Sequence, residues 1–264
     1  MHGGSSNGSA LELTRTNAYI TNCSFSFNTV GNMYHLYFPQ MYCVRRVGGA
    51  VIVNSSNVVI SSSHFDSNTA ELGGALFSDF DRDITISNCT LVNNAATGCS
   101  YNTSDLCSGG ALYIGSRCTV AVYNSSFMNN TSEADGGAIA LFDSGTYIGT
   151  QNIFVYNEAS NFGGAIFTHH SNGVTVSNSY YNSNTAGRKG GVMYGSGNES
   201  ITMDNSSFNS NRAGEDGGVV YANFYTEIAI DHSSYTDNEA NNNGGVIYLH
   251  VHDSTDTMHC MHMS

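Results

Sequence analysis

The chain has 264 residues, enough for one elongated domain, and a net charge of −13 with a single lysine, Lys189. That balance makes nucleic acid and anionic membrane poor partners, because phosphate binding needs clustered cations, and no nucleic acid is expected. Charged residues make up only 11%, against about 25% in ordinary domains, and no apolar run approaches the roughly 18 residues of a membrane span.

The opening residues, Met1-His2-Gly3-Gly4 and the polar stretch after them, do not read as a signal peptide. The first predicted strands follow, with Ala18 and Ile20 spaced by two and then Phe25 three residues before Asn28. Spacing by two is strand spacing with one face buried. A Gly-Gly pair is expected next but is delayed to Gly48-Gly49 by an insertion over residues 30–47. It holds Tyr34, His35, Tyr37, Phe38, Tyr42 and the only proline, Pro39. Proline cannot donate to a strand ladder, so its place in the insertion fits the assignment. The next unit is compact, with Phe65 to Asn68 and then Gly73-Gly74. A second insertion, over residues 97–107, interrupts the third before Gly109-Gly110. Both insertions fall between the asparagine and the glycine pair, so they leave the same side of the fold.

From there the pairs recur at Gly136, Gly163, Gly190, Gly217 and Gly244, a step of 27 residues without drift. A fixed period in the range of roughly 20–50 residues is the signature of a solenoid. The expected fold is therefore all-β: a single right-handed parallel β-helix of about nine coils, stacked about 4.8 Å apart. Its right hand is taken from the chirality of parallel crossovers. The domain spans residues 1–252, and residues 253–264 read as a tail. Equivalent residues then stack. Phe25, Phe65, Leu91, Phe127, Phe154, Tyr181, Phe208 and Tyr235 make one interior ladder. Asn28, Asn68, Asn94, Asn130, Asn157, Asn184, Asn211 and Asn238 make another, each amide able to donate and accept, and asparagine tolerating the left-handed backbone of a sharp corner. The glycine pair suits a second corner, where φ is positive or a β-carbon would clash. Neither end carries a convincing cap, so edge-to-edge association is an expectation, as is that the chain is a piece of a longer protein.

With these motifs in view, the repeats resemble those of the chlamydial polymorphic outer membrane proteins, which carry many copies of Phe-x-x-Asn and Gly-Gly-Ala-(Ile/Leu/Val). Phe25, Phe65, Phe127, Phe154 and Phe208 begin strict copies of the first motif; Leu91, Tyr181 and Tyr235 begin relaxed ones. Gly48, Gly73, Gly109, Gly136 and Gly163 begin strict copies of the second, and the last three copies have Val192, Val219 and Val246 for alanine. The resemblance implies an adhesin displayed at the cell surface, an autotransporter passenger whose β-helix projects outward. It covers nearly the whole chain.

The insertions are the leading binding candidate, since aromatics on loops of a rigid scaffold mark interaction surfaces. Tyr34, Tyr37, Phe38, Tyr42 and Tyr101 would meet a glycan or a host or neighbouring surface protein. The plain alternative is a loop packed on the solenoid flank. Asp204 and Asp231 share one repeat position on adjacent coils, about 5 Å apart, with His232 beside them. Such a pair suits retaining glycoside chemistry or a calcium site, calcium being a possible cofactor of this chemistry; solvated surface acids are the bland reading. Asp79, Asp81 and Asp83 alternate but read as a polar corner, lacking the glycine and glutamate of a calcium loop. His250, His252, His259, Cys260 and His262 crowd the end and include soft ligands for zinc or copper, without fixed spacing. Arg188, Lys189 and Arg212 stack on Glu215, Asp216 and Glu239 one coil later, as structural ion pairs.

Of seven cysteines, Cys99 and Cys107 bracket the second insertion, either as a disulfide or as two thiols. Cys23 and Cys89 read as small buried residues, and Cys118 as outward-facing or corner-lining. The chain has ten Asn-x-Ser/Thr sequons, consistent with a secreted glycoprotein, although so much Asn, Ser and Thr produces many by chance. These readings favour an extracellular or cell-surface, non-enzymatic β-helix acting in adhesion or as a stalk. The competing class is a β-helix polysaccharide lyase or glycoside hydrolase.

Overall fold

Strand residues alternate inward and outward along each short segment, so one coil of this chain buries only half of every strand and must stack to finish its core. In the computed structural model it does so as a parallel β-helix. The structure describes residues 9–30, 47–79, 83–99, 107–115, 118–143, 145–197, 200–223 and 227–250, with residues 34–38, 41–45 and 258–260 as backbone.

Each coil runs through four sheets in order. The second coil illustrates this: Val51–Asn54 lies in the first sheet, Asn57–Ser61 in the second, His64–Asp66 in the third and Thr69–Ala70 in the fourth. The sheets hold nine, nine, eight and seven strands, each pairing in parallel with the coils before and after it. Seven coils carry all four strands. The expectation of about nine counted two partial ones: the first closes with only an isolated bridge, Thr29 to Thr69, and the last has strands in the first two sheets alone. That last second-sheet strand, Met258–Cys260, lies in the stretch read as a tail, yet it pairs with Glu227–Asp231 and extends the solenoid.

The interior is one continuous cluster, from Ile20 and Phe25 to Ile228 and Ile230. The ring ladder stacks nearly flat, with Phe127 and Phe154 4.7 Å apart, Phe154 and Tyr181 5.0 Å, and Tyr181 and Phe208 4.9 Å. In the coil containing Thr146–Thr150, Tyr147 takes the place of an aliphatic residue. Gly149 makes room for it: a β-carbon there would lie 2.8 Å from the Tyr147 hydroxyl. Cys118 is fully buried in this cluster rather than outward-facing, and Cys23 is only half-buried because the first coil has no coil in front of it among the described residues.

Both reasons advanced for the glycine pair hold, one for each residue. The first glycine has positive φ, +65° at Gly163, while a β-carbon on the second, Gly164, would sit 2.1 Å from the Gly191 carbonyl oxygen of the next coil. The asparagine corner needs correcting. The left-handed residue is the one before each ladder asparagine, for example Asn129 at φ 52°, Tyr156 at 56° and Ser183 at 53°. That residue turns the chain, and the turn is what aims the following asparagine inward.

A further ladder went unread in the sequence. At the corner between the second and third sheets, backbone N–H groups donate to the side chain one coil on: Ser125 to Asn152 at 2.9 Å, Asn152 to Ser179 at 3.1 Å and Ser179 to Ser206 at 3.1 Å. Outside the first sheet, Phe77, Tyr113, Phe167, Tyr194 and Tyr221 form a row of stacked rings with Phe142 filling the gap left by Ala140. Val47, Leu72 and Phe162, each the residue before a glycine pair, pack over this row.

Asp135 is a carboxyl buried among these groups. Desolvation raises its pKa to about 7, against a hydrogen bond donated by the Phe162 N–H and the charge of Arg188. An unfolded aspartate titrates near 3.9, so between about pH 4 and pH 7 the folded chain holds a proton that the unfolded chain has lost. This group's contribution to stability is thus present at low pH and is lost as pH rises through about 7. Asp135→Asn keeps the acceptor and removes the charge. Its stability relative to the wild type is expected to rise by about 2–4 kcal/mol from pH 4.5 to pH 8, read from chemical denaturation at the two pH values. A constant difference between the variants would refute this.

Candidate functional site

The outward faces carry the chemistry, since the inward ones are filled. Asp204 and Asp231 end equivalent strands of the second sheet and are register partners on adjacent coils. His232 follows in the left-handed conformation, φ 44°, which swings its ring back over the pair. Its Nδ1 lies 3.0 Å from Asp231 Oδ1 and 3.7 Å from Asp204 Oδ1. The His232 N–H also donates to Asp231 Oδ1 at 3.0 Å. The three candidate ligand atoms lie within 4.8 Å of one another. Beside them runs an open, polar groove lined by Asn178, Ser179, Asn205, Ser206 and His232. This arrangement presents two carboxylates and an imidazole to solvent without walls to exclude water.

The first insertion contains an antiparallel hairpin, Tyr34–Phe38 with Met41–Arg45, in which Tyr37 pairs with Tyr42 and Phe38 with Met41. It is the one antiparallel pairing among the described residues. The side chains of Tyr34, Tyr37, Phe38 and Tyr42 lie outside the described residues, as does Tyr101. The second insertion is closed at its base by a Cys99–Cys107 disulfide, with the α-carbons 5.7 Å apart. Cys107 is buried, and its carbonyl accepts hydrogen bonds from Ala134 N–H and the Ser132 hydroxyl, so the loop returns onto a fixed point.

Of the terminal metal candidates, His250 is exposed at the end of Ile247–His250, and His259 and Cys260 lie in the last strand as backbone. His252 and His262 lie outside the described residues. Asp79 is buried at the end of a first-sheet strand and Asp83 is exposed at the start of a second-sheet strand; Asp81, between them, is not described. The three stacked ion pairs are in place: Arg188–Glu215 at 2.9 Å, Lys189–Asp216 at 3.7 Å and Arg212–Glu239 at 3.7 Å. Lys189 also lies 4.3 Å from the Tyr221 ring centroid and Arg188 5.0 Å from that of Phe162, so these cations cover the outer aromatic row.

The sequons divide by geometry. Asn130 is fully buried with both amide hydrogens donated inside the fold, so it is closed to modification, whereas Asn124 and Asn205 stand on exposed left-handed corners.

A second titratable cluster was not singled out in the sequence. Asp143, His169 and His170 meet at the corner between the first and second sheets. His170 Nδ1 is 3.3 Å from Asp143 Oδ1, and the two imidazole centroids are 3.9 Å apart. Burial lowers the pKa of His169, and the neighbouring His170 lowers it further, against the opposing charge of Asp143.

Comparison with known families agrees with the fold. The model of the right-handed β-helix region matches residues 2–108, and that of the Chlamydia polymorphic membrane protein repeat matches residues 124–141 and 205–223. Each repeat match opens on a corner asparagine, Asn124 or Asn205, and runs through the aromatic-x-x-Asn unit and the glycine pair. No curated protein and no solved structure matches.

Proposed function

We propose that this chain, a right-handed parallel β-helix carrying Chlamydia polymorphic membrane protein repeats, is a surface-displayed binding passenger whose solenoid holds its insertions away from the cell. The observation that carries the reading is the hairpin of residues 34–45, set on a scaffold whose own polar groups are largely spent on one another. A rigid support with variable loops is the arrangement by which loops carry recognition. The second insertion starts two coils later on the same side, which supports reading the two loops as one surface. Glycans or proteins of a neighbouring surface are the partners that such aromatic-rich loops suit.

Deleting residues 31–46 is expected to leave the melting temperature within a few degrees of the wild type and to lower binding to a glycan and glycoprotein array at least tenfold. The hairpin adds no strand to the four sheets, which is why the solenoid survives its loss. A folded deletion that binds as the intact chain does would overturn the proposal. Release of new reducing ends from a polysaccharide in the same wells would favour the enzyme reading and move attention to Asp204 and Asp231.

A further inference from the structure

The corner between the first and second sheets is left-handed at Arg15, Ser55, Asp143, His170 and Gly197 alike, and at Asp143, His169 and His170 it gathers a carboxylate and two imidazoles. In an extended strand, neighbouring side chains point to opposite faces, so two consecutive histidines cannot meet. Here His169 ends the strand Ile166–His169, and His170 takes the left-handed conformation at φ 52°. The change of hand turns the second imidazole back toward the first, to a centroid separation of 3.9 Å. Asp143, also left-handed at φ 47°, occupies the same corner one coil earlier and brings its carboxylate to His170. Interstrand hydrogen bonds fix this stack: the Asp143 N–H donates to the His169 carbonyl at 2.9 Å and the His170 N–H to the Ser196 carbonyl at 2.8 Å.

On the next coil the corner is Gly197. A β-carbon there would lie 2.3 Å from His170 Cδ2, so the imidazole occupies a notch that exists because this position lacks a side chain. Two imidazole nitrogens and one carboxylate oxygen thus gather from two coils, all candidate ligand atoms within 4.8 Å of one another. Metal–nitrogen bonds of about 2.0–2.1 Å require donors roughly 3.3 Å apart in a tetrahedral site. Small rotations of exposed side chains close that gap while the backbone stays in place.

We infer that Asp143, His169 and His170 form a binding site for a first-row divalent transition-metal cation, with zinc as the leading ion and solvent completing its coordination. Two imidazoles favour zinc, nickel or copper over calcium or magnesium, which take oxygen ligands. Bound there, the cation ties two successive coils together on the outer surface. The site is independent of the proposed binding role of the insertions.

The test is calorimetric titration of zinc into the full chain, with cobalt absorption as a second readout of nitrogen coordination. His169→Gln combined with His170→Gln is expected to weaken this zinc event at least tenfold and to abolish the cobalt bands, with the circular dichroism spectrum unchanged. Changing His259→Gln, Cys260→Ser and His262→Gln together, or Asp204→Asn with Asp231→Asn, is expected to leave the event in place. Gly197→Ala removes no ligand but displaces the His170 ring, and is expected to weaken zinc several-fold. No zinc binding by the wild type, binding undiminished in the double histidine variant, or loss confined to the terminal variant would each overturn the assignment. Unaltered affinity in Gly197→Ala would overturn the role given to the notch.

Discussion

Gly164→Ala is expected to abolish cooperative folding of the central coils, a loss of at least about 4 kcal/mol, at the severe end of what single substitutions do. The new methyl would lie 2.1 Å from the Gly191 carbonyl oxygen and 2.7 to 2.8 Å from the Thr185 backbone. These are main-chain atoms of the next coil, not the ends of flexible side chains. Relief therefore requires the coils to separate, which breaks the hydrogen bond from the Gly164 N–H to the Gly190 carbonyl and its neighbours along the sheet. Gly98→Ala is the control. Gly98 has φ +88° but open space around it, so alanine there costs about 1–2 kcal/mol of backbone strain alone. Thermal melts and limited proteolysis of the two variants separate the explanations. A Gly164→Ala protein that melts within a few degrees of wild type would show that close approach between coils is not what the glycine pair serves.

Residues that recur with one chemistry were legible before the fold was known. The glycine pair, the rings and the asparagines each repeat as a type, so stacking follows from their period. The left-handed corner residues were not legible. Phe27, Ser67, Asn93, Asn129, Tyr156, Ser183, Ser210 and Asp237 hold one backbone conformation with no shared side-chain chemistry, because their side chains point to solvent. The serine ladder was obscured in the same way: Cys23, Cys89 and Asn152 take its place in some coils, and an apolar thiol conceals the pattern. Residues before the glycine pair vary among Val47, Leu72, Ser108, Asp135, Phe162 and Lys189, so their bridging from coil to coil, with Val47, Leu72 and Phe162 against the outer rings, appears only in three dimensions.

Candidate sites follow the same logic in reverse. Asp204 and Asp231 were found because they share a column. Asp143, His169 and His170 occupy two different columns, and a change of backbone hand joins them. Both clusters stand at outer corners, where a side chain can change without breaking contact between coils. The interior is less free: Tyr147 fits in place of an aliphatic residue only with Gly149 beside it, and the ladder position keeps asparagine from Asn28 to Asn238.

Asn157→Ala should cost about 3–5 kcal/mol, although it removes few atoms and little apolar area. The Asn157 Oδ1 accepts from both the Asn130 N–H at 3.1 Å and the Asn130 amide at 3.0 Å. Its own amide donates to the Phe127 carbonyl at 3.0 Å and to Asn184 Oδ1 at 2.9 Å. Alanine therefore removes all four bonds and leaves their partners in a fully buried setting, since Asn130, Asn157 and Asn184 are each 0% exposed. Each unsatisfied buried group costs about 1–3 kcal/mol, with some recovery as the coil relaxes. Asn28 provides the comparison at the start of the ladder. It is bonded to Asn68 on one side only, and its Oδ1 already lacks a partner among the described residues. Asn28→Ala should therefore cost less than half as much as Asn157→Ala. Denaturant unfolding of the two variants, followed by hydrogen exchange of the Asn130 and Asn184 backbone amides, gives the ratio directly. Equal losses at the two positions would mean that the amides act singly and that the ladder adds nothing by its continuity.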